Sequence, residues 1–567
     1  MFFIRKKLPR SHAPGEPLLY PDHKVPVTRR ELLGAGLRTA PALVIGPAWL
    51  AAALKPGKAN AVTLSADIQA LLAPNQCNVA TKANSIPMVP VVCFDLAGGA
   101  NLVGSEVIVG QQGGQANFLT TAGYGKMGVP GNMVPSAAGF TDSTFGLLWH
   151  SDGAILRGMK TTATTPATAA GTNGAIICGM SQNDTGQNPH NPMYGVAMVG
   201  ARGILLNLVG NQSSVSGGNS ASVPYMINPL FQPTTIALPS DDVGLVSTGG
   251  APADPVSVAV LESQARISGG NGLYTAGTDE SAYATCPSNV TSTTPTTCTT
   301  TPYPSLLSPP QNQQAGVQLF AGGGAQDNAL KSQVRCAYAQ AAYTAAAFGN
   351  PAALDPTQDQ MIIAGAAPIF TVAQMKSDSD IEKTASVMKL VCNGYAAAGT
   401  ITLGGCDYHD STRATGETRN FKIGQMIGAV LEYAQRVGTP VMIYVFSDGS
   451  LSSSSMVDTS AAGRDKLAWQ GDNSTVSSTF FLVYSPKGRP QLANGVAGQQ
   501  IGYYTADGAV DTTSSPAANS VTQIPEVMLL NYMALMGQAG QFSATFPQQG
   551  LGSTATQAAL TAFGPII

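Results

Sequence analysis

Residues 417–446 read ETRNFKIGQMIGAVLEYAQRVGTPVMIYVF, and the change of period inside this stretch decides the fold class. From Glu417 to Val437 the apolar residues Ile423, Met426, Ile427, Val430, Leu431, Ala434 and Val437 recur three and four apart, which gathers them on one face of a helix. Gly438 and Pro440 end that helix. The apolar run Pro440 to Phe446 follows at once and reads as a buried strand.

The same grammar extends outward in both directions. Pro90 to Leu96 is a short apolar run stopped by Gly98 and Gly99, and Ala175 to Met180 repeats it. Met361 to Ile363, Ile401 to Leu403 and Thr479 to Tyr484 complete the predicted strands. Ile381, Ala385, Met388, Val391 and Tyr395 mark a second helix, with others over Asp327 to Phe348 and Glu526 to Met536. Helix alternating with apolar strand predicts an α/β fold, a mainly parallel sheet with helices on both faces and long polar loop insertions. The Ile423 to Val437 face is expected to bury against Val441 to Phe446, leaving Asp448 at the carboxyl end of that strand near Asp407. Thr285 to Ala315, rich in Thr, Ser and Pro, is expected to be an exposed insertion, and Asn211 to Ser222 a surface loop. No internal repeat of useful length is present.

The amino-terminal region differs in kind. Arg29-Arg30 runs into a weakly apolar segment from Leu32 to Leu54, and Ala59 and Ala61 supply the small residues a signal peptidase requires. Residues 1–61 therefore read as a twin-arginine signal cleaved after Ala61, and residues 62–567 as a single α/β domain. Arg38, Pro41 and Pro47 interrupt the apolar segment and make it a poor permanent span, an uncleaved anchor being the alternative. The expected partner during export is the twin-arginine translocase, with a periplasmic, cell-surface or secreted destination.

Composition narrows the partners. Of 29 Lys and Arg, 10 precede residue 62, as do 3 of the 32 Asp and Glu, so the mature chain holds 19 basic against 29 acidic residues, a formal charge of −10. That balance disfavours nucleic acid and anionic lipid. Only 11% of the residues are charged, against roughly 25% in an ordinary soluble domain. A surface solvated by neutral polar groups suits a secreted or self-associating protein. No transmembrane span is expected after cleavage. The eight cysteines include no Cys-x-x-Cys pair, which argues against a zinc ribbon or a c-type haem. Cys286 and Cys298 are the expected disulfide, closing a short polar loop; Cys93 and Cys178 lie in strand-like runs as buried thiols.

In an α/β sheet, ligands bind beyond the carboxyl ends of the strands. Three acidic clusters stand near predicted strand ends: Cys406-Asp407-Tyr408-His409-Asp410, Ser447-Asp448-Gly449 and Gly471-Asp472-Asn473-Ser474. Asp407 and His409 offer an oxygen and a nitrogen to a divalent metal, and Asp448, Asp472 and Asp95 could complete the shell. The alternative for such aspartates is a helix cap or an Asx turn. The mature chain has three histidines. His190, in a polar loop after a strand, reads as either a site residue or a satisfied surface imidazole, and His150 as a packed one. Ser105 is the nearest hydroxyl to the first strand, read as a nucleophile or an ordinary loop residue. Gly98 and Gly99 could present N–H groups to an oxyanion. No P-loop, dinucleotide fingerprint or Gly-x-Ser-x-Gly elbow is present.

The twin-arginine leader, Phe94-Asp95-Leu96-Ala97-Gly98-Gly99, the loop around His190, Asp407-Tyr408-His409, Phe446-Ser447-Asp448-Gly449 and Gly471-Asp472-Asn473-Ser474 occur in an order that resembles the exported family known as domain of unknown function 1501. The resemblance runs from about residue 28 to 540, through short motifs. It implies a core like that of alkaline phosphatases and sulfatases, with metal-binding Asp and His at the ends of parallel strands. Here Gly98-Gly99-Ala100-Asn101-Leu102 lacks the acidic residue of the family's Asn-Asp-Gly element, and Asn473 replaces the imidazole of its Asp-His-Gly. The expectation is an exported envelope protein on an alkaline phosphatase-like scaffold with a reduced metal site for zinc, calcium or magnesium, engaged in binding or assembly with an envelope or self-assembly partner. The alternative is a metal-dependent hydrolase of phosphate or sulfate esters.

Overall fold

The computed structural model describes residues 64–71, 88–181, 186–245 and 351–567, with isolated helical positions between 262 and 343. All of them belong to one unit, Ile45–Ile567. The strands are β1 (Val91–Leu96), β2 (Thr172–Cys178), β3 (Leu206–Gly210), β4 (Thr234–Thr235), β5 (Ala396–Leu403), β6 (Val441–Ser447), β7 (Leu451–Asp458), β8 (Lys466–Asp472), β9 (Ser478–Tyr484) and β10 (Gln500–Ile501). The helices that matter here are α1 (Ala154–Thr162), α2 (Met193–Met198), α3 (Pro239–Gly244), α4 (Ser379–Cys392), α5 (Ala414–Val437) and α6 (Gln523–Leu535).

Eight strands form one sheet in the order β10-β2-β9-β6-β1-β5-β3-β4. The fold is α/β, as its periodicities predict. β1 lies at the centre, parallel to both β5 and β6. Because successive side chains of a strand point to opposite faces, β1 feeds two cores. Val92, Phe94 and Leu96 join residues of α1, α4 and α5, whereas Val91 and Cys93 join those of α2 and α6. β9 is the exception to the parallel rule, running antiparallel to both β6 and β2. The chain leaves β6 at its carboxyl end, makes the β7–β8 arm, and re-enters the sheet from that same end. Only a crossover would have returned it parallel.

Three expectations are corrected. The Ile423 to Val437 face meets β6 only in part, since α5 lies chiefly along α1. A Cβ on Gly424 would stand 2.1 Å from the Ile155 carbonyl oxygen, and one on Gly158 2.0 Å from that of Phe421, so these glycines allow the two backbones to touch. Met361 to Ile363 is not a strand but part of one wide helical turn, Gln360–Ala364. Asp359 imposes it: its carboxylate accepts the Met361 N–H at 2.8 Å and its carbonyl receives those of Ile363 and Ala364. Asn211 to Ser222 is no free surface loop, because Ser216, Gly217, Gly218 and Ser220 are buried over the strand ends. The Thr285 to Ala315 insertion, the Cys286–Cys298 pair and the signal region lie outside the described residues, as does most of Asp327 to Phe348. Cys93, Cys178, Cys392 and Cys406 are free and buried. Among the described residues, no helix is long and apolar enough to cross a membrane.

Candidate metal centre

The segment after β5 is extended, and its burial alternates: Cys406 and Tyr408 are buried, Asp407 and His409 exposed. A two-residue period turns the apolar groups inward and both ligating groups outward. Tyr408 anchors the segment, its hydroxyl accepting the Asn101 N–H at 3.0 Å and lying 3.2 Å from Asn420 Oδ1. Its ring packs on Trp469, with centroids 5.9 Å apart. Trp469 belongs to β8, and three residues further on that strand ends in Asp472. The same packing thus brings Asp472 toward the extended segment. His409 Nε2 lies 2.6 Å from Asp407 Oδ1 and 3.7 Å from Asp472 Oδ1. One ligand atom from each of the three residues falls within 4.8 Å of the others, with all three exposed.

Asp448 and Asp95, the other two expected ligands, are committed elsewhere. Asp448 is buried, and its Oδ1 accepts the N–H groups of Gly98 at 2.9 Å and Gly99 at 3.1 Å. Its Oδ2 accepts Asn219 Nδ2 at 2.8 Å. The Gly98–Gly99 turn, at φ 114° and 87°, therefore spends its donors on a protein carboxylate instead of offering them to an oxyanion. Asp95 is fully buried, and the strap after β3 closes over it. Its Oδ2 accepts the N–H groups of Asn219 at 2.6 Å and Ser220 at 2.8 Å, and its Oδ1 the Ser220 hydroxyl at 2.8 Å. Burial pushes its pKa up to about 6, with the Asp448 charge adding to the rise and the Ser220 and Asn219 hydrogen bonds opposing it.

The remaining sequence candidates are buried, except the half-buried Asn473. Asn101 is buried, donating to the Leu451 carbonyl and accepting the Val103 N–H. Asn473 caps a short turn by accepting the N–H and hydroxyl of Thr475. Ser105 is fully buried and its hydroxyl has no hydrogen-bond partner, so it presents no nucleophile to solvent. His190 is fully buried, which corrects the surface-imidazole alternative; its Nε2 sits 3.2 Å from Ser181 Oγ, which donates to the Asp448 carbonyl at 2.6 Å. Burial lowers its pKa to about 4, so the ring is neutral near pH 7. His150 is packed, with Nε2 2.9 Å from the Met133 carbonyl oxygen.

Sequence reasoning missed Ser181, Asn188, Asn219 and Ser220, which clasp the two internal aspartates. The one available signal was the Gly217-Gly218-Asn219-Ser220 run itself, which reads equally well as solvent-exposed. Compared with known proteins, the chain matches no protein-family model, no curated protein and no solved structure.

Proposed function

We propose that this chain is an exported envelope protein on an alkaline phosphatase-like scaffold, acting by binding or assembly, with one surface site for a divalent cation at Asp407, His409 and Asp472. The observation that carries the reading is how the carboxylates divide. Asp95 and Asp448, the two placed deepest at the strand ends, have their oxygens filled by chain donors, leaving a three-residue set at the surface. One imidazole and two carboxylates suit zinc better than calcium or magnesium, which prefer oxygen-only shells. Such an ion would supply a Lewis-acid centre, but Ser105 lies buried away from solvent and cannot serve as a covalent hydroxyl nucleophile. A charge-poor surface and an exposed cation with water in its open positions instead fit attachment to an anionic or ligating group on a partner.

The test is metal analysis of the mature protein, purified without chelator or a polyhistidine tag, together with a panel of phosphate and sulfate esters. About one zinc per chain and no turnover are expected. His409→Ala should release the metal, and with chelator present its denaturation midpoint should nearly match that of wild type, because an exposed imidazole contributes little packing. Wild type without metal would remove the site. Ester turnover lost in His409→Ala would establish the hydrolase in place of the binding protein.

A further inference from the structure

Away from the strand ends, α3 packs on α4 through a residue that charge alone would forbid. Asp242 is fully buried, and neither of its carboxyl oxygens has a hydrogen-bond partner. The Ser386 hydroxyl of α4 faces it and favours the charged form, against the larger cost of burial. An ionised carboxylate buried with no more than a hydroxyl beside it is strongly disfavoured, whereas the neutral acid is tolerated.

The charged groups facing Asp242 do not relieve it. Asp241, on the same helix, and Asp355, ahead of the turn Pro356–Gln358, are both acidic and oppose ionisation. Lys389, from α4, is the facing cation, but its Nζ is paired at 2.6 Å with Asp359 Oδ2, which also accepts the Tyr433 hydroxyl at 2.7 Å. Asp241 closes the amino end of α3 separately, its Oδ2 accepting the N–H groups of Ala237 and Leu238. Seating α3 on α4 therefore depends on the protonation of Asp242.

We propose that Asp242 is a proton-dependent latch: as a neutral acid it lets α3 seat on α4, and its ionisation as pH rises unseats α3 while the sheet stays folded. Burial raises its pKa well above the ordinary carboxyl value. A group whose folded-state value is raised gives a contribution that is complete below the unfolded value and is lost as pH rises through the folded one. The latch is thus closed in acid and opens upward.

Hydrogen exchange of the mature protein, followed over residues 239–245 and corrected for intrinsic rates, tests this. Protection of α3 should be constant below the ordinary carboxyl value of 3.8, fall by up to about tenfold per pH unit above it, and level off once Asp242 ionises in the seated helix, as linkage to one proton requires, while α4 amides stay protected. Asp242→Asn should keep α3 protected across that range. At the lowest pH of the plateau, the infrared difference between wild type and Asp242→Asn should contain a protonated-carboxyl band. Flat wild-type protection, simultaneous loss in α3 and α4, or a missing band would each overturn the latch. The wild-type exchange experiment decides the matter even if the variant does not fold.

Discussion

Gly98, just beyond β1, is constrained in two ways. Its φ of 114° disfavours any side chain, and a Cβ there would stand 2.5 Å from the Asp407 nitrogen. Gly98→Ala should lower stability by about 1–3 kcal/mol, combining backbone strain with displacement of the 406–409 segment; an unchanged urea midpoint would refute the close approach. Asp95 gives a pH test. Its folded-state value of about 6 exceeds the ordinary 3.8, so its contribution is present below the lower figure and disappears as pH rises through the upper. Asp95→Asn should remove that fall from the stability profile. At pH 7 it should also cost about 1–3 kcal/mol, because an amide NH₂ would face one of the donors that the carboxylate accepts. Denaturation profiles of the two proteins from acid to neutral pH would show both effects. The outward pairing of Asp407 with His409 was legible from residue type and spacing, whereas the internal hydrogen bonds of Asp95 and Asp448 were not, because a sequence does not reveal which donors surround a carboxylate.

At the scale of elements, local pattern worked where side chains are large. The helix closing at Gly438 and the strand Val441–Ser447 lie within a few residues of their predicted bounds. β5 was recognised only in its second half, because Ala396 to Gly399 carry no bulky apolar signal. Small residues are needed there, since a Cβ on Gly399 would meet Val387 at 2.4 Å. The same reasoning applies to the α1–α5 contact. Gly424→Leu should force the two helices apart and lower stability by about 1–3 kcal/mol, read as a lower urea midpoint with an unchanged slope. A neutral result would show that the helices are not in backbone contact. Met361 to Ile363 failed as a strand because three apolar residues carry no period, and the Asp359 cap decided their conformation.

For the whole molecule, the leader and the sheet make separate claims. If Arg29-Arg30 is the export signal, replacing both with Lys should leave precursor in the cytoplasm, and the exported protein should begin at Val62. Export persisting in a strain without the twin-arginine translocase would overturn the assignment. The alternation of helical and strand periods was enough, by itself, to determine an α/β sheet with helices on its faces, because burial of one apolar face per element leaves few other solutions. The exposure of Asp407 and His409 also follows from an alternation visible in the sequence. The antiparallel entry of β9, the arrival of Asp472 beside His409 through Trp469 and Tyr408, and the satisfaction of Asp95 and Asp448 by a strap more than 100 residues away in each case were decided only by tertiary structure. Each depends on a hydrogen bond or packing contact between distant segments, and periodicity reports only what an element buries, not which partner it meets.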